Sequence, residues 1–138
     1  MLTSDDFNAG GAENLPGLLG IVISGVTRSA VTAHLPVRTA LMAPNGYLHA
    51  GTVVALADTC AGYGCIANLP PGASGFTTIE LKSNHLGTAK QGTLACVATP
   101  VHVGKTTQVW DATVSRHSDG KPIALFRCTQ MVLWPKAG

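Results

Sequence analysis

Apolar and polar residues alternate with strand period over much of the chain. Within residues 21–37, Val31, Ala33 and Leu35 alternate with more polar neighbours, as expected for a strand with one buried face. Gly25 interrupts this segment and predicts two strands or a bulge. The same pattern predicts strands at residues 76–86, 93–103, 106–117 and 122–134, and the Asp-Gly pair at 119–120 predicts a hairpin turn between the last two.

Residues 50–68 break this alternation. They are rich in Ala, Leu and Val without period-2 spacing, and we predict one long helix there, apolar on all sides and therefore buried. Two prolines and a glycine at residues 70–72 end the helix. A loop is predicted at residues 42–46, and a short helical turn at residues 15–20.

One buried helix followed by strands with short connections predicts an α+β fold, with a curved antiparallel β-sheet wrapped around one long central helix. We expect strands that follow one another in the chain to be neighbours in the sheet. The polar residues 1–14 are interpreted as a mobile tail, and residues 15–138 as a single domain. One sheet cannot cover a helix that is apolar on all sides, so we expect a homodimer, or a dimer of dimers, to complete its burial.

Composition narrows the classes of function. Charged residues make up 12% of the chain, the net charge is +2, and no run of Lys or Arg occurs, so we do not expect nucleic-acid binding. The N-terminus lacks the pattern of a signal peptide, and we expect a cytoplasmic protein without a membrane span. The four cysteines lie in apolar segments without metal-binding spacing, so we interpret them as reduced core residues and expect no metal.

Asp58 is the most informative residue, because it is a lone carboxylate within the predicted apolar helix. Aspartate is a poor residue for the middle of a helix, and burying its charge is costly. The helix contains no Lys or Arg, which excludes an ion pair within it. The alternative is a buried Asp that bonds a backbone amide or a basic partner elsewhere. We favour a catalytic role.

The loop at residues 45–51 leads into the start of this helix, where backbone N–H groups are unpaired and the helix dipole is positive. Such a site can polarise a carbonyl group. Asp58 lies eight residues beyond Ala50, roughly 12 Å along the helix axis. The two cannot act on one carbonyl within one chain, whereas a two-fold dimer could bring Asp58 of one subunit to Ala50 of the other.

These residues resemble the hot-dog fold thioesterases of the phenylacetate-pathway type, whose pattern is G-x-x-H-G-G-x-x-x-x-L-x-D or E. The positions that match in type and spacing are Gly46, His49, Gly51, Leu56 and Asp58. Residues 80–86 and 104–110 resemble later strands of the family, and the resemblance covers about residues 15–134. Ala50 stands where the family usually has Gly, and Ala43 stands where many members carry an Asn or Gln that helps to hold the attacking water.

The resemblance implies a hot-dog fold that hydrolyses acyl-CoA thioesters at dimer interfaces, with no cofactor beyond the CoA of the substrate. By carry-over, Asp58 is the nucleophile or the general base. The backbone N–H of Ala50, aided by Gly51, polarises the thioester carbonyl, and His49 orders the loop or the carbonyl site. Asn45 is the candidate substitute for the water-holding amide that is missing at position 43.

Further residues are candidates for substrate contact. Those expected near the acyl group are Thr59, Gly62, Tyr63, Ser83, Asn84 and His85, and those expected at the CoA phosphates are Lys90, Lys105 and Thr106; the simplest single role of each lysine is surface solvation. The acyl group stays open between aromatic and medium-chain types. Two alternatives are a hot-dog hydratase or dehydratase, which would pair its acid with a histidine where this chain has Tyr63, and a non-catalytic acyl-CoA binder, which Ala43 keeps open.

Overall fold

A computed structural model describes residues 1–136 of the chain; the last two residues of the predicted domain lie outside the described part. The helices are α1 (Ser4–Gly11), α2 (Leu15–Leu19) and α3 (Ala50–Ala67), and a 3-10 turn occupies Thr39–Leu41. The strands are β1 (Val22–Val26), β2 (Val31–Pro36), β3 (Gly75–His85), β4 (Thr93–Val103), β5 (Thr107–Arg116) and β6 (Pro122–Leu133). They form one antiparallel sheet in the order β1-β2-β4-β5-β6-β3.

The predicted architecture is confirmed, because α3 packs against all six strands of the sheet. Its close approach depends on small residues. A Cβ added to Gly64 would lie 2.5 Å from the indole of Trp110, and one added to Gly62 would lie 2.9 Å from the ring of Phe76. Trp110 is fully buried, and its Nε1–H donates to Oε1 of Gln108 at 2.8 Å. The glycines of α3 therefore make room for the aromatic rings of the sheet.

The other side of α3 is only partly covered. Val54, Ala55, Asp58 and Thr59 are half-buried, whereas Leu56 and Ala57 between them are fully buried. The sheet alone thus leaves one stripe of the helix accessible, and the second subunit expected from the sequence stays a prediction.

By length and composition alone, α3 would also pass as a membrane span, because its 18 residues have a mean hydropathy of 1.3. The sequence, in contrast, predicts a chain without a membrane span. Half of the helix window is buried inside the protein, and the strands of the sheet cover its inward side. This packing is that of the core helix of a folded domain.

The position of β3 differs from the prediction. It pairs with β6 at the edge of the sheet, so it is not a neighbour of β4. The connection at residues 86–92 crosses the end of the sheet, where Leu86 N–H donates to Ile123 O at 2.7 Å and Arg116 Nη1 donates to Thr88 O at 3.1 Å. Seven extended residues reach roughly 23 Å, more than the roughly 14 Å across three strand spacings. A short connection therefore did not require neighbouring strands.

Residues 1–14, interpreted from the sequence as a mobile tail, contain helix α1. Thr3 and Asp6 form a capping box, in which Thr3 Oγ1 accepts from Asp6 N–H at 3.2 Å and the Asp6 carboxylate accepts from Thr3 N–H at 2.8 Å. Phe7 is buried and stacks on Tyr63 of α3, with ring centroids 4.3 Å apart. The polar composition of this segment concealed one buried aromatic anchor.

Asn8 of α1 pairs with the outer edge of β1. Its Nδ2 donates to Ile23 O at 2.9 Å, and its Oδ1 accepts from Ile23 N–H at 2.8 Å. The side-chain amide thus takes the place that a neighbouring strand would occupy, and it satisfies two backbone groups that an edge strand leaves unpaired.

Candidate active site

Asp58 lies in the middle of α3, on the partly covered side of the helix. Its recorded side-chain partner is Thr78 of β3, whose Oγ1 lies 3.5 Å from Oδ1 of Asp58. Both ion pairs recorded within residues 1–136 involve other aspartates, Asp119 with Arg116 and Asp111 with Arg127. Burial raises the pKa of the Asp58 carboxyl group, and the hydrogen bond from Thr78 lowers it by less. The alternative of a basic or backbone partner therefore has no support in this geometry.

The start of α3 presents a backbone donor. His49 is the N-cap, and its Nδ1 accepts from Gly51 N–H at 2.7 Å. An Nδ1 that accepts leaves the ring hydrogen of neutral His49 on Nε2. The N–H of Ala50 has no acceptor within the described chain, and Ala50 is exposed. Ala50 therefore offers the free N–H, whereas the N–H of Gly51, which was expected to aid it, is already engaged.

A cavity of about 250 Å³ opens beside this donor. Its lining consists of residues from the α3 loop, from α3 and from the connection after β3, namely Tyr47, Leu48, Ala50, Val53, His85, Gly87 and Thr88. The Leu48 N–H donates to Thr88 Oγ1 at 3.0 Å and ties the two loops together. Lys90 lies near, with Nζ 5.2 Å from the Tyr47 ring centroid. The structure thus brings His85 and Lys90 to the same end of α3 as Ala50.

The substrate contacts predicted on β3 lie on opposite faces of the sheet. Ser83 and His85 pair with Phe126 and Ala124, which are buried, whereas Asn84 pairs with the exposed Leu125. Asn84 instead lines a groove of about 370 Å³ on the outer face of the sheet. Adjacent residues of a strand point to opposite faces, so the sheet lies between Asn84 and Asp58. The Ser83 hydroxyl oxygen is buried and has no hydrogen-bond partner among residues 1–136.

On α3, the predicted contacts near Asp58 also differ from one another. Thr59 is half-buried on the accessible stripe. Gly62 is buried beneath the Phe76 ring and is closed to a ligand. Tyr63 is half-buried, and Phe7 of α1 covers one face of its ring. Thr59 and Tyr63 therefore stay candidates for substrate contact, and α1 adds Phe7 to their surroundings.

Asn45 lies at the tip of an exposed turn. Its Oδ1 accepts from Tyr47 N–H at 3.1 Å, and Ala43 N–H donates to Tyr47 O at 2.7 Å across the turn. Gly46 has a φ of +86°, which a residue with a side chain rarely adopts. One lone pair of the Asn45 side-chain oxygen is thus used within the turn, and its other lone pair and its Nδ2 could still hold a water.

The two candidate CoA lysines lie far apart in one protomer. Lys105 has its Nζ 5.9 Å from the Trp134 ring centroid and lines a groove of about 700 Å³ with Arg28. The backbone oxygen of the adjacent Thr106 accepts from Val132 N–H at 2.9 Å. Lys90 precedes β4 and Lys105 follows it, and a strand of 11 residues is roughly 33 Å long. A single protomer does not bring these two lysines together.

Sequence reasoning missed a polar cluster beneath Asp58. Gln108 and Gln130 are fully buried, Thr78 Oγ1 donates to Gln130 Oε1 at 2.6 Å, and Gln130 Nε2 lies 3.5 Å from Cys128 Sγ. The sequence could have revealed this cluster, because both glutamines occupy positions that the alternating pattern of their predicted strands otherwise fills with apolar residues. All four cysteines are free and buried, as predicted. Within the described part of the chain, no group of three or more His, Cys, Asp or Glu is placed to hold a metal.

Comparison with known proteins gives concordant matches. The model of the Thioesterase superfamily matches residues 45–123. The 1,4-dihydroxy-2-naphthoyl-CoA hydrolase of Listeria monocytogenes is 32% identical over 111 residues, which is 80% of this chain and 89% of that protein. The Escherichia coli enzyme of the same name is 32% identical over 112 residues, 79% of each chain. A crystal structure of a mutant of thioesterase PA1618 from Pseudomonas aeruginosa superposes with a TM-score of 0.89 at 32% identity, covering 94% of this chain and 93% of that one.

Proposed function

The chain belongs to the thioesterase superfamily, has the hot-dog fold and is a thioester hydrolase, and on that premise we propose that it hydrolyses acyl-CoA thioesters to the free acid and CoA with Asp58 as the catalytic carboxylate. The observation that carries this proposal is the position of Asp58 on the accessible stripe of α3, as a half-buried carboxylate that forms no ion pair with the described residues. The phenylacetate-type specificity suggested by the sequence stays a prediction.

Two routes use these groups. As a general base, Asp58 takes a proton from the water that attacks the thioester carbonyl, and it returns that proton to the departing CoA thiolate. As a nucleophile, the carboxylate attacks the carbonyl and expels the thiolate, and water then hydrolyses the mixed anhydride. In both routes the Ala50 N–H donates to the oxygen that becomes negative, and Asp58 must be ionised at the start. Both routes therefore lose rate as pH falls through the raised pKa of Asp58.

We propose that the site is shared between two subunits. Ala50 and Asp58 lie roughly 12 Å apart on one rigid helix, too far for one small carbonyl, and both are accessible. A homodimer that pairs the accessible stripes of two α3 helices would place Ala50 of one subunit opposite Asp58 of the other. The same arrangement lets Lys90 and the Lys105–Thr106 turn, which one protomer keeps apart, serve one CoA from different subunits. Two such dimers would give the expected dimer of dimers.

Mixing two inactive variants tests the shared site. Ala50→Pro removes the N–H donor at the first helical position, where proline fits an α-helix, and Asp58→Asn removes the carboxylate. In a heterodimer of the two variants, one site keeps both groups intact. An equal mixture that exchanges subunits freely should regain about a quarter of wild-type activity. Sites contained within one chain predict no recovery.

We propose that the preferred substrate carries an aromatic acyl group. Two relatives are named as hydrolases of 1,4-dihydroxy-2-naphthoyl-CoA, and the half-buried aromatic side chain of Tyr63 follows Asp58 by five residues on α3. Medium-chain aliphatic groups are the competing class. A panel that includes 1,4-dihydroxy-2-naphthoyl-CoA, benzoyl-CoA, phenylacetyl-CoA and hexanoyl- to decanoyl-CoA, compared by kcat/KM, distinguishes the two classes.

The decisive experiment compares two Asp→Asn variants by release of free CoA thiol. We expect Asp58→Asn to lower kcat at least ~10²-fold, as for loss of a general base. Asp111→Asn is the matched control, because Asp111 is on the outer face of the sheet in an exposed ion pair with Arg127. It should keep near-normal turnover. Near-normal turnover of Asp58→Asn would refute the assigned role.

Two alternatives predict different products. A non-catalytic binder, which Ala43 keeps open, would bind acyl-CoA without releasing CoA. A hydratase or dehydratase would convert enoyl-CoA, yet the position that would carry its histidine is Tyr63, whose ring stacks on Phe7. Calorimetric binding together with the thiol assay separates the first alternative, and an enoyl-CoA assay separates the second. A cytoplasmic location stays a prediction.

A further inference from the structure

A row of polar side chains leads from Asp58 into the sheet. Thr78 of β3 lies opposite Gln130 of β6 in register, and Gln130 lies opposite Gln108 of β5. Both glutamines are fully buried. The Thr78 hydroxyl oxygen lies 2.6 Å from Gln130 Oε1 and 3.5 Å from Asp58 Oδ1. Thr78 is therefore the link between the carboxyl group and a buried amide.

The hydroxyl of Thr78 has one hydrogen and two possible acceptors. In one arrangement this hydrogen points along the shorter contact, 2.6 Å to Gln130 rather than 3.5 Å to Asp58. The lone pairs of the hydroxyl then face Asp58, which suits a protonated carboxyl group that donates to them. An ionised Asp58 requires the reverse arrangement, with the hydroxyl hydrogen turned toward the carboxylate.

Gln130 can support the reverse arrangement. Rotation of its amide by half a turn exchanges Oε1 and Nε2, and Nε2–H then donates to Thr78 Oγ1. The thiol of Cys128 lies 3.5 Å from the other end of the amide, where it would donate to Oε1. Burial raises the pKa of Cys128 to about 12, so this thiol keeps its hydrogen. The Thr78 hydroxyl and both ends of the Gln130 amide therefore have partners in both arrangements.

We propose that Thr78, supported by Gln130, is a positioning residue that gives the Asp58 carboxyl group a hydrogen-bond partner in both of its protonation states. A general base passes through both states in each turnover, and within residues 1–136 no ion pair stabilises the charged state of Asp58. The hydroxyl meets this need by turning its hydrogen, without displacement of the backbone. This inference rests on the proposed function of Asp58.

The test measures the pH dependence of kcat in three variants. Thr78→Val keeps the shape of the side chain and removes the hydroxyl. A hydrogen bond to a carboxylate is stronger than one to a neutral carboxyl group, so loss of the hydroxyl costs the charged form more and raises the pKa of Asp58. We therefore expect the acidic limb of the profile to move up by about one pH unit, with kcat on the plateau about 10-fold lower. Thr78→Ser should restore the wild-type limb. Thr77→Val is the matched control, because the neighbouring Thr77 is exposed, and its profile should not move.

A readout without turnover separates this inference from the proposed function. The ¹³C carboxyl resonance of Asp58 gives its pKa directly, and it should rise in Thr78→Val and return in Thr78→Ser. If Asp58→Asn abolishes turnover but Thr78→Val leaves both the limb and the resonance unchanged, the positioning role is refuted and the proposed function stands. If Asp58→Asn stays active, the proposed function fails, and the resonance still tests the hydrogen bond. Thr78→Ala, which also lacks the hydroxyl, replaces Thr78→Val if that variant does not fold, and the same results apply.

Discussion

Replacement of Gly64 by alanine should destabilise the protein although it improves the helix. Gly64 lies in the interior of α3, where alanine is favoured over glycine by about 1 kcal/mol. The new Cβ, however, would lie 2.5 Å from Cη2 and Cζ3 of Trp110, and this indole is fully buried between α3 and the sheet. The substitution therefore sets helix propensity against packing at one defined contact.

The size of the expected loss in stability follows from two changes at the indole. Forcing a buried side chain to shift costs about 1–3 kcal/mol. A shift of the indole also weakens the 2.8 Å bond from Trp110 Nε1–H to Gln108 Oε1, and a buried pair without its bond costs about 1–3 kcal/mol. After the gain in helix propensity, we expect a net loss of about 3 kcal/mol. For a chain of this length that corresponds to a fall in Tm of roughly 10 °C.

Urea denaturation followed by tryptophan fluorescence measures this change, at one fixed protein concentration because a second subunit would make stability depend on concentration. Gly10→Ala is the matched control. Gly10 is in helix α1, and a Cβ there meets nothing within 4 Å, so the same substitution should stabilise by up to about 1 kcal/mol. A Gly64→Ala protein as stable as the wild type would show that α3 does not pack on Trp110 as described.

Two further predictions concern stability. Phe7→Ala should lower the free energy of unfolding by about 3 kcal/mol, because Phe7 is buried and stacks on Tyr63. Leu18→Ala is the control, because Leu18 is an exposed apolar residue, and it should change the free energy of unfolding little. Equal effects of the two substitutions in urea denaturation would contradict the docking of α1. Asp58→Asn should be more stable than the wild type at pH 7. Because the pKa of Asp58 is raised in the folded protein, the folded state holds a proton that the unfolded chain releases at lower pH. The stability of the wild type therefore falls as pH rises from the ordinary Asp range through the raised pKa. This gain should vanish in acid, where both states of the wild type are protonated, and urea titrations at several pH values would refute the reasoning if they showed no such convergence.

Much of the fold was accessible from the pattern of side chains. Loss of alternation at Ala50 and the prolines after Asn68 located α3, because a change of period and a helix stop are local signals. The strand now called β4 was predicted with the bounds observed, Thr93–Val103. Period-2 spacing also places Ser83 and His85 on one face of their strand and Asn84 on the other, as observed.

Pairing across the sheet was not accessible in the same way. Alternation reports which face a residue occupies and carries no information on which strand lies beside it, so β3 was placed next to β4 instead of β6. The engagement of Gly51 N–H by His49 depends on one rotamer, which spacing does not determine. Asn84 differs, because alternation along the strand already places it on the face opposite to Ser83 and His85. Its inclusion among the expected substrate contacts was inconsistent with that pattern.

The Asn8 amide has a consequence for how copies of this chain can associate. With one margin of the sheet occupied by the Asn8 amide, lateral growth through backbone pairing is directed to the β3 margin. A copy that joins there in antiparallel fashion uses its own β3, and the product then presents an Asn8-blocked margin at each end. Such growth terminates after one addition, whereas a sheet with two open margins could continue into a fibre. A short polar side chain near the N-terminus would thereby limit the polymerisation of a β-rich protein.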